Sequence, residues 1–350
     1  MCSTPSESPA CAETVPYRRK FSVVYVEDAA LSYQRTREIL GRLHGATVIR
    51  CRSYRDIFNR SHQEPTLQRK AQALILAVSP LNAVYDGAPV CQDFGNRHFY
   101  YTSCVMNCIF DCEYCYLQGM YPCGHIVCFV NLEDTFAALD DILKEHEAYV
   151  CISYDTDLLA LEPLLGFVRD WLAYASTRER LTLELRTKSA AAAVLRSLPV
   201  IPGAVLALTL SPDPVIAAYE HHTPDLSARL AFAAEAQKAG WSVRLCFDPM
   251  LAVHDAEPAY NAMFDEVFSV LRPEQIRDVS IGTFRISKEY LREMRRRRPC
   301  AVTLYPYELT NGVYSYSSDT EERLLSLART RLREHFPEDR IFVWKSDSAV

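Results

Sequence analysis

No stretch of the 350-residue sequence approaches the roughly 20 consecutive apolar residues needed to cross a bilayer, so no membrane-spanning helix is expected. The first 13 residues are polar, with Pro, Ser and Glu, and have neither a basic start nor an apolar h-region. They read as part of a disordered tail, residues 1–19, on a cytoplasmic protein. Excess positive charge is also missing. Lys and Arg total 38 against 44 Asp and Glu, a net charge of −6, so a nucleic-acid role would need a local basic surface. The densest candidate is Arg292 with Arg295, Arg296, Arg297 and Arg298, followed by Arg329, Arg331 and Arg333. A solvated helix face is the commoner meaning of such a run. No internal repeat or low-complexity tract is present.

Cysteine, by contrast, is abundant and odd in number, at 13 residues. A disulfide scaffold is not expected without a secretory signal, since the cytosol keeps thiols reduced. Several of these thiols must be buried, ligate metal or carry chemistry.

Hydrophobic periodicity predicts an α/β chain. Strands at 21–26, 46–49 and 73–78 with a helix at 33–43 make a small N-terminal α/β domain, which with a Pro- and Gly-bearing linker occupies residues 20–95. From residue 96 to 300, strands at 99–102, 149–153, 181–185, 205–210, 241–247 and 279–282 alternate with helices at 134–147, 159–174, 189–196, 225–239, 260–271 and 287–297. Six βα units predict a partial (β/α)6 barrel of the TIM type, with active groups on the loops after the strands. Residues 301–350 read as an extension with a helix and a hairpin at Asn311-Gly312. Tyr305, Tyr307, Tyr314 and Tyr316 flank that turn; packing on the barrel is favoured over wedging into DNA.

The segment Cys104-Val-Met-Asn-Cys108-Ile-Phe-Asp-Cys112-Glu-Tyr-Cys115-Tyr-Leu-Gln-Gly119 falls after the first barrel strand. Three thiolates spaced Cys-x3-Cys-x2-Cys can hold three irons of a 4Fe–4S cluster and leave the fourth open. A zinc site using Cys104 as well is the alternative, but zinc knuckles are normally separated by a longer loop. Cys104 has no place in the three-ligand pattern and defaults to a buried thiol, as do Cys123 and Cys128 around His125. His221 and His222 read as polar loop residues before metal ligands. Cys246, near a strand end, is a second candidate redox thiol.

The Cys-x3-Cys-x-Tyr-Cys pattern resembles the radical S-adenosylmethionine (SAM) signature, and its continuation through Gln118 is similar to spore photoproduct lyases. The resemblance runs from about residue 25 to 285 and includes segments 129–133, 156–163, Thr187-Lys188, 209–212, 219–223, 247–249 and 281–285. It implies a radical SAM barrel with a 4Fe–4S cluster on Cys108, Cys112 and Cys115, and SAM as cofactor. It implies SAM contacts from Tyr114, Lys188, Thr209 and Ser211. It further implies fragmentation of a methylene-bridged thymine dimer in DNA, a reductant such as flavodoxin or ferredoxin, and a monomer. Lys188 reads equally as a solvated rim lysine, and Thr209 and Ser211 equally as helix caps. Tyr116 would take part in radical return. The lyases place a hydrogen-donating cysteine where this chain has Tyr154. Tyr154 itself, or Cys151, becomes the candidate donor, although regular strand parity sets those two on opposite faces. A radical SAM enzyme on another substrate, and a cluster-bearing redox protein without turnover, are the competing readings.

Overall fold

The computed structural model of the chain describes residues 21–80, 84–88 and 90–344; the expected tail at 1–19 lies outside them. Val23–Glu27 lies between Thr47–Cys51 and Leu74–Ala77, all parallel. Every residue of Leu74–Ala77 is buried, so this strand cannot serve as a sheet edge. Its open side is taken by Ile126–Phe129, which pairs with it in parallel, and Val105–Met106 closes the sheet antiparallel. The expected division at residue 95 therefore does not separate the sheets: the chain comes back to the N-terminal sheet after the cysteine segment.

The second sheet holds the six expected strands side by side in chain order: Phe99–Thr102, Ala148–Cys151, Leu181–Thr187, Ala204–Thr209, Ser242–Met250 and Ile276–Thr283, all parallel. Two short strands extend it to eight. Val84–Asp86 pairs antiparallel with the first, and Ile341–Val343 pairs parallel with the last. Among the described residues no pairing joins these edges, so the sheet is open and mostly parallel, with its six central strands in the order expected and no closed barrel. The edge strands lie in the stretches read as linker and extension, each too short to show a period.

Strand alternation sorts the side chains of this sheet. Leu183, Leu185, Val243, Leu245, Val279 and Ile281 join the apolar core. The alternate positions carry Tyr149, Cys151, Glu184, Arg186, Arg244, Cys246 and Asp278. On this polar face Arg244 donates to Asp278, to Glu184 at 2.8 Å and to the Tyr149 hydroxyl at 2.6 Å. The Phe94 ring lies over the Arg244 guanidinium, 3.4 Å from ring centroid to carbon, and touches Tyr149 and Phe342. The stretch around residue 94 thus covers the polar face instead of linking two domains across solvent.

The helix expected at 159–174 is two helices, Leu158–Leu165 and Phe167–Ala175, broken at Gly166, whose φ of 75° is left-handed. The Glu162 carboxylate ties the break together, accepting the N–H groups of Val168 at 2.7 Å and Arg169 at 3.2 Å. Burial nevertheless pushes this carboxyl from the usual 4.5 to about 7. A carboxyl whose pKa is raised by folding binds more protons folded than unfolded, so stability falls as pH rises from about 4.5 to about 7. Glu162→Gln keeps an acceptor and has no proton to lose. Melting curves between pH 5 and 8 should show a flatter decline for this variant than for wild type, and parallel profiles would contradict the assignment.

Candidate active site

The cysteine loop leaves the main sheet after Thr102 and is pinned at both ends. Asn107, fully buried with a left-handed φ of 70°, donates to the carbonyls of Cys123 and His125, each at 2.8 Å. Gln72 holds the carbonyls of Cys108 at 3.1 Å and Gly124 at 3.0 Å. Asp111–Cys112 forms a two-stranded pairing with Glu220–His221. Cys108, Cys112 and Cys115 are all free thiols, and the Phe110 N–H points at Cys108 Sγ from 3.4 Å. Burial pushes Cys108 up to about 12 and raises Cys112 and Cys115, and the thiols also act on one another: Cys112 feels both Cys108 and Cys115. Among the described residues, no group of three or more His, Cys, Asp or Glu side chains is arranged to close on one metal ion. The three thiols instead share one loop, burial and each other's field. This donor set fits a multi-iron cluster, which binds each thiolate at a different iron. Cys104 is buried in the core, 3.9 Å from the Ile152 carbonyl.

Beside the loop, the residues expected around SAM meet at one carboxylate. The Tyr114 hydroxyl donates to Glu220, as do Ser211 at 2.8 Å and Arg229. Arg229 also donates to the Thr209 carbonyl at 3.2 Å. Ser211 does not cap the following helix, Asp213–Tyr219, which starts at Pro212 without a side-chain cap. The Lys188 ammonium lies 5.4 Å from the centre of the Tyr114 ring, an inward position and not a solvated rim. Burial works against its charge, yet Glu220 and the Cys112 and Cys115 thiols hold its pKa above the usual lysine value. Glu220, buried and held down to about 2 against its own burial by Lys188 and Arg229, organises these groups. Sequence reading quoted Glu220 within a matching segment without giving it a role.

A second carboxylate, Asp155, binds the tyrosines. It accepts hydroxyls from Tyr116 at 3.1 Å, Tyr121 at 2.8 Å and Ser103. The Tyr116 hydroxyl also donates to the Tyr154 carbonyl at 2.8 Å, and the two rings lie 5.7 Å apart. The strand ends at Cys151, so parity does not extend to Tyr154. Cys151 is buried on the polar face near Glu184 and Arg186, while Tyr154 stands clear of the strand with its hydroxyl 3.0 Å from Cys91 Sγ.

The model of the family described as spore photoproduct lyase matches residues 20–344. The chain belongs to the spore photoproduct lyase family. Solved spore photoproduct lyases share its fold at 20% identity. A cysteine-to-alanine mutant with dinucleoside spore photoproduct has a TM-score of 0.77, with 92% of this chain and 97% of that one covered. A complex with the same dinucleoside reaches 0.76, over 93% and 98%. A double mutant with bound AdoMet and the dinucleoside reaches 0.73, over 92% and 97%. No curated protein matches in sequence.

Compared with the surface expected of a DNA-binding lyase, the arginine run is largely turned inward. Arg295 donates to the Thr303 carbonyl at 2.7 Å, Arg297 to the Gln118 and Tyr121 carbonyls at 3.1 and 2.7 Å, and Arg298 to Asp111 at 2.8 Å and Glu113 at 3.2 Å. His221 joins Glu113 at 2.8 Å. Helix Lys288–Arg297 thereby braces the cysteine loop, and it packs closely because residue 119 is glycine: a Cβ there would collide with the Tyr290 backbone. In this lyase relative, Gly119→Ala should lose about 1–3 kcal/mol of stability and retain iron less well, checked by melting and iron analysis after reconstitution. The tyrosines of the C-terminal hairpin pack, as favoured: Tyr305 and Tyr307 meet Tyr316, and Tyr316 accepts the Ala252 N–H at 2.9 Å.

Proposed function

We propose that the chain is a radical SAM lyase of the spore photoproduct type, a cytoplasmic monomer that repairs thymine photoproducts in DNA. The observation that carries this reading is the thiol trio Cys108, Cys112 and Cys115, the second buried and the others half-buried, within a family match spanning residues 20–344, next to the Tyr116–Tyr154 pair. When bound, a 4Fe–4S cluster on those thiols and SAM supply a 5′-deoxyadenosyl radical. Lys188 offers a positive charge for the SAM carboxylate. Tyr114, Thr209 and Ser211 line the same side, fixed through Glu220 and Arg229. Tyr116, Tyr154 and Cys151 are the hydrogen carriers of this reading, with Asp155 orienting the Tyr116 hydroxyl. Electrons would come from a flavodoxin- or ferredoxin-class reductant.

One observation favours a second reading, a radical SAM enzyme acting on something other than DNA. Three arginines of the run are spent on internal carbonyls and carboxylates, leaving Arg292 and Arg296 exposed, with Arg296 paired with Glu293. Anaerobic reconstitution followed by SAM, dithionite and a synthetic dinucleotide lesion separates the two. Conversion of the lesion to the dinucleotide with two intact thymines supports the lyase; 5′-deoxyadenosine without that conversion points to the other substrate. Failure to cleave SAM at all removes both.

A further inference from the structure

The thiol at the Tyr154 hydroxyl comes from outside every motif segment. Cys91 lies in the stretch that covers the polar face of the main sheet, its sulfur 3.0 Å from the Tyr154 oxygen. Both partners are fixed. The Tyr154 ring stacks on Tyr101 at 4.1 Å and its carbonyl is held by Tyr116 at 2.8 Å. On the other side, Arg285 donates to the Val90 carbonyl at 2.9 Å while gripping Asp248 at 2.8 and 3.1 Å, which bolts the Cys91 turn to the ends of two strands. Cys91 and Tyr154 both remain partly exposed, whereas Cys104, Cys151 and Cys246 are buried. Of the thiols considered as hydrogen sources, Cys91 alone combines contact with Tyr154 and partial exposure.

We propose that Cys91 is the hydrogen-atom donor to the product radical, with Tyr154 as its relay partner. This rests on the lyase reading above. The carbon-centred radical left on the thymine after fragmentation takes the hydrogen of the Cys91 S–H: a C–H bond forms and a thiyl radical remains. The thiyl then takes the hydrogen of the Tyr154 O–H across their hydrogen bond, restoring S–H and leaving a tyrosyl radical. One electron from the reductant that serves the cluster and one proton from solvent restore the phenol. The segment supplies from a neighbouring chain stretch the thiol that the lyases carry at the position of Tyr154. Burial keeps Cys91 protonated, as a hydrogen-atom donor must be.

The test uses the full chain, reconstituted anaerobically, with SAM, dithionite and the dinucleotide lesion in D2O. Thiol hydrogens exchange with solvent, so wild type should place one solvent deuterium in the product of each lesion repaired, on one of its two thymines. Cys91→Ala and Cys91→Ser should lower clean thymine per SAM cleaved at least tenfold, with 5′-deoxyadenosine release within twofold of wild type; the serine keeps a hydrogen-bonding group without a weak S–H. A second measurement needs no turnover. Mass-spectrometric alkylation of Cys91 in reconstituted protein without SAM should have its pH midpoint raised by Tyr154→Phe, because the phenol stabilises the thiolate. Clean, deuterated thymine from Cys91→Ala at wild-type yield overturns the donor assignment and leaves the lyase reading standing. An unmoved alkylation midpoint in Tyr154→Phe overturns the pairing. SAM cleavage by wild type with no lesion consumed overturns the lyase reading and this step with it.

Discussion

Changing Cys108, Cys112 or Cys115 to Ala is expected to abolish iron binding. Reconstituted wild type should carry about four irons and four sulfides per chain, and each variant less than about one iron. The reason is geometric as well as chemical. The three thiols stand on a loop held by Asn107, Gln72 and the Glu220–His221 pairing, so the loop cannot shift to bring a substitute ligand forward without breaking those bonds. Burial holds the thiols protonated in the absence of metal, and binding must displace those protons, so iron uptake should weaken as pH falls. Cys104→Ala should retain the chromophore, since that thiol is packed in the core. Stoichiometric zinc without iron in protein purified free of oxygen would defeat the cluster reading.

The largest stability effect is expected at Arg244. Its guanidinium is 1% exposed and answers two buried carboxylates, Glu184 and Asp278. Burial alone would raise the Glu184 pKa, but Arg186 and Arg244 hold it below the usual carboxylate value. Arg244→Met fills similar volume but leaves those carboxylates short of positive charge, at a cost of about 3–5 kcal/mol. Because Phe94 sits on this guanidinium, the stretch carrying Cys91 should loosen as well. Denaturant unfolding measures the first effect, and faster alkylation of Cys91 the second. A change below about 1 kcal/mol would mean the carboxylates find other partners or protonate.

What could be read from sequence followed from period and spacing. The six parallel strands announce themselves by apolar runs between helices, and their observed ends differ by a few residues. The cluster thiols announce themselves by spacing. Features that depend on chain return were not readable in this way. Ile126–Phe129 is apolar enough for a strand, yet nothing local says that it pairs with Leu74–Ala77. The arginine run looks like a charged surface until the carbonyls and carboxylates opposite it are known. Cys91 has no periodic context at all; its meaning comes from Tyr154, 63 positions away. Gly166 was visible, but its break in a long amphipathic pattern was overridden by the continuing apolar face.

The return of Ile126–Phe129 to the first sheet has a consequence for synthesis on the ribosome. The first three strands are complete by residue 77, but Leu74–Ala77 keeps an apolar flank bare until about 50 further residues have been made. Throughout that interval the nascent chain exposes an edge able to pair with another copy. A fragment ending at residue 95 would hold that state permanently, and it should accumulate as insoluble material. One ending just after residue 131 would contain the covering strand, with the cysteine loop already spanning the gap between the two sheets.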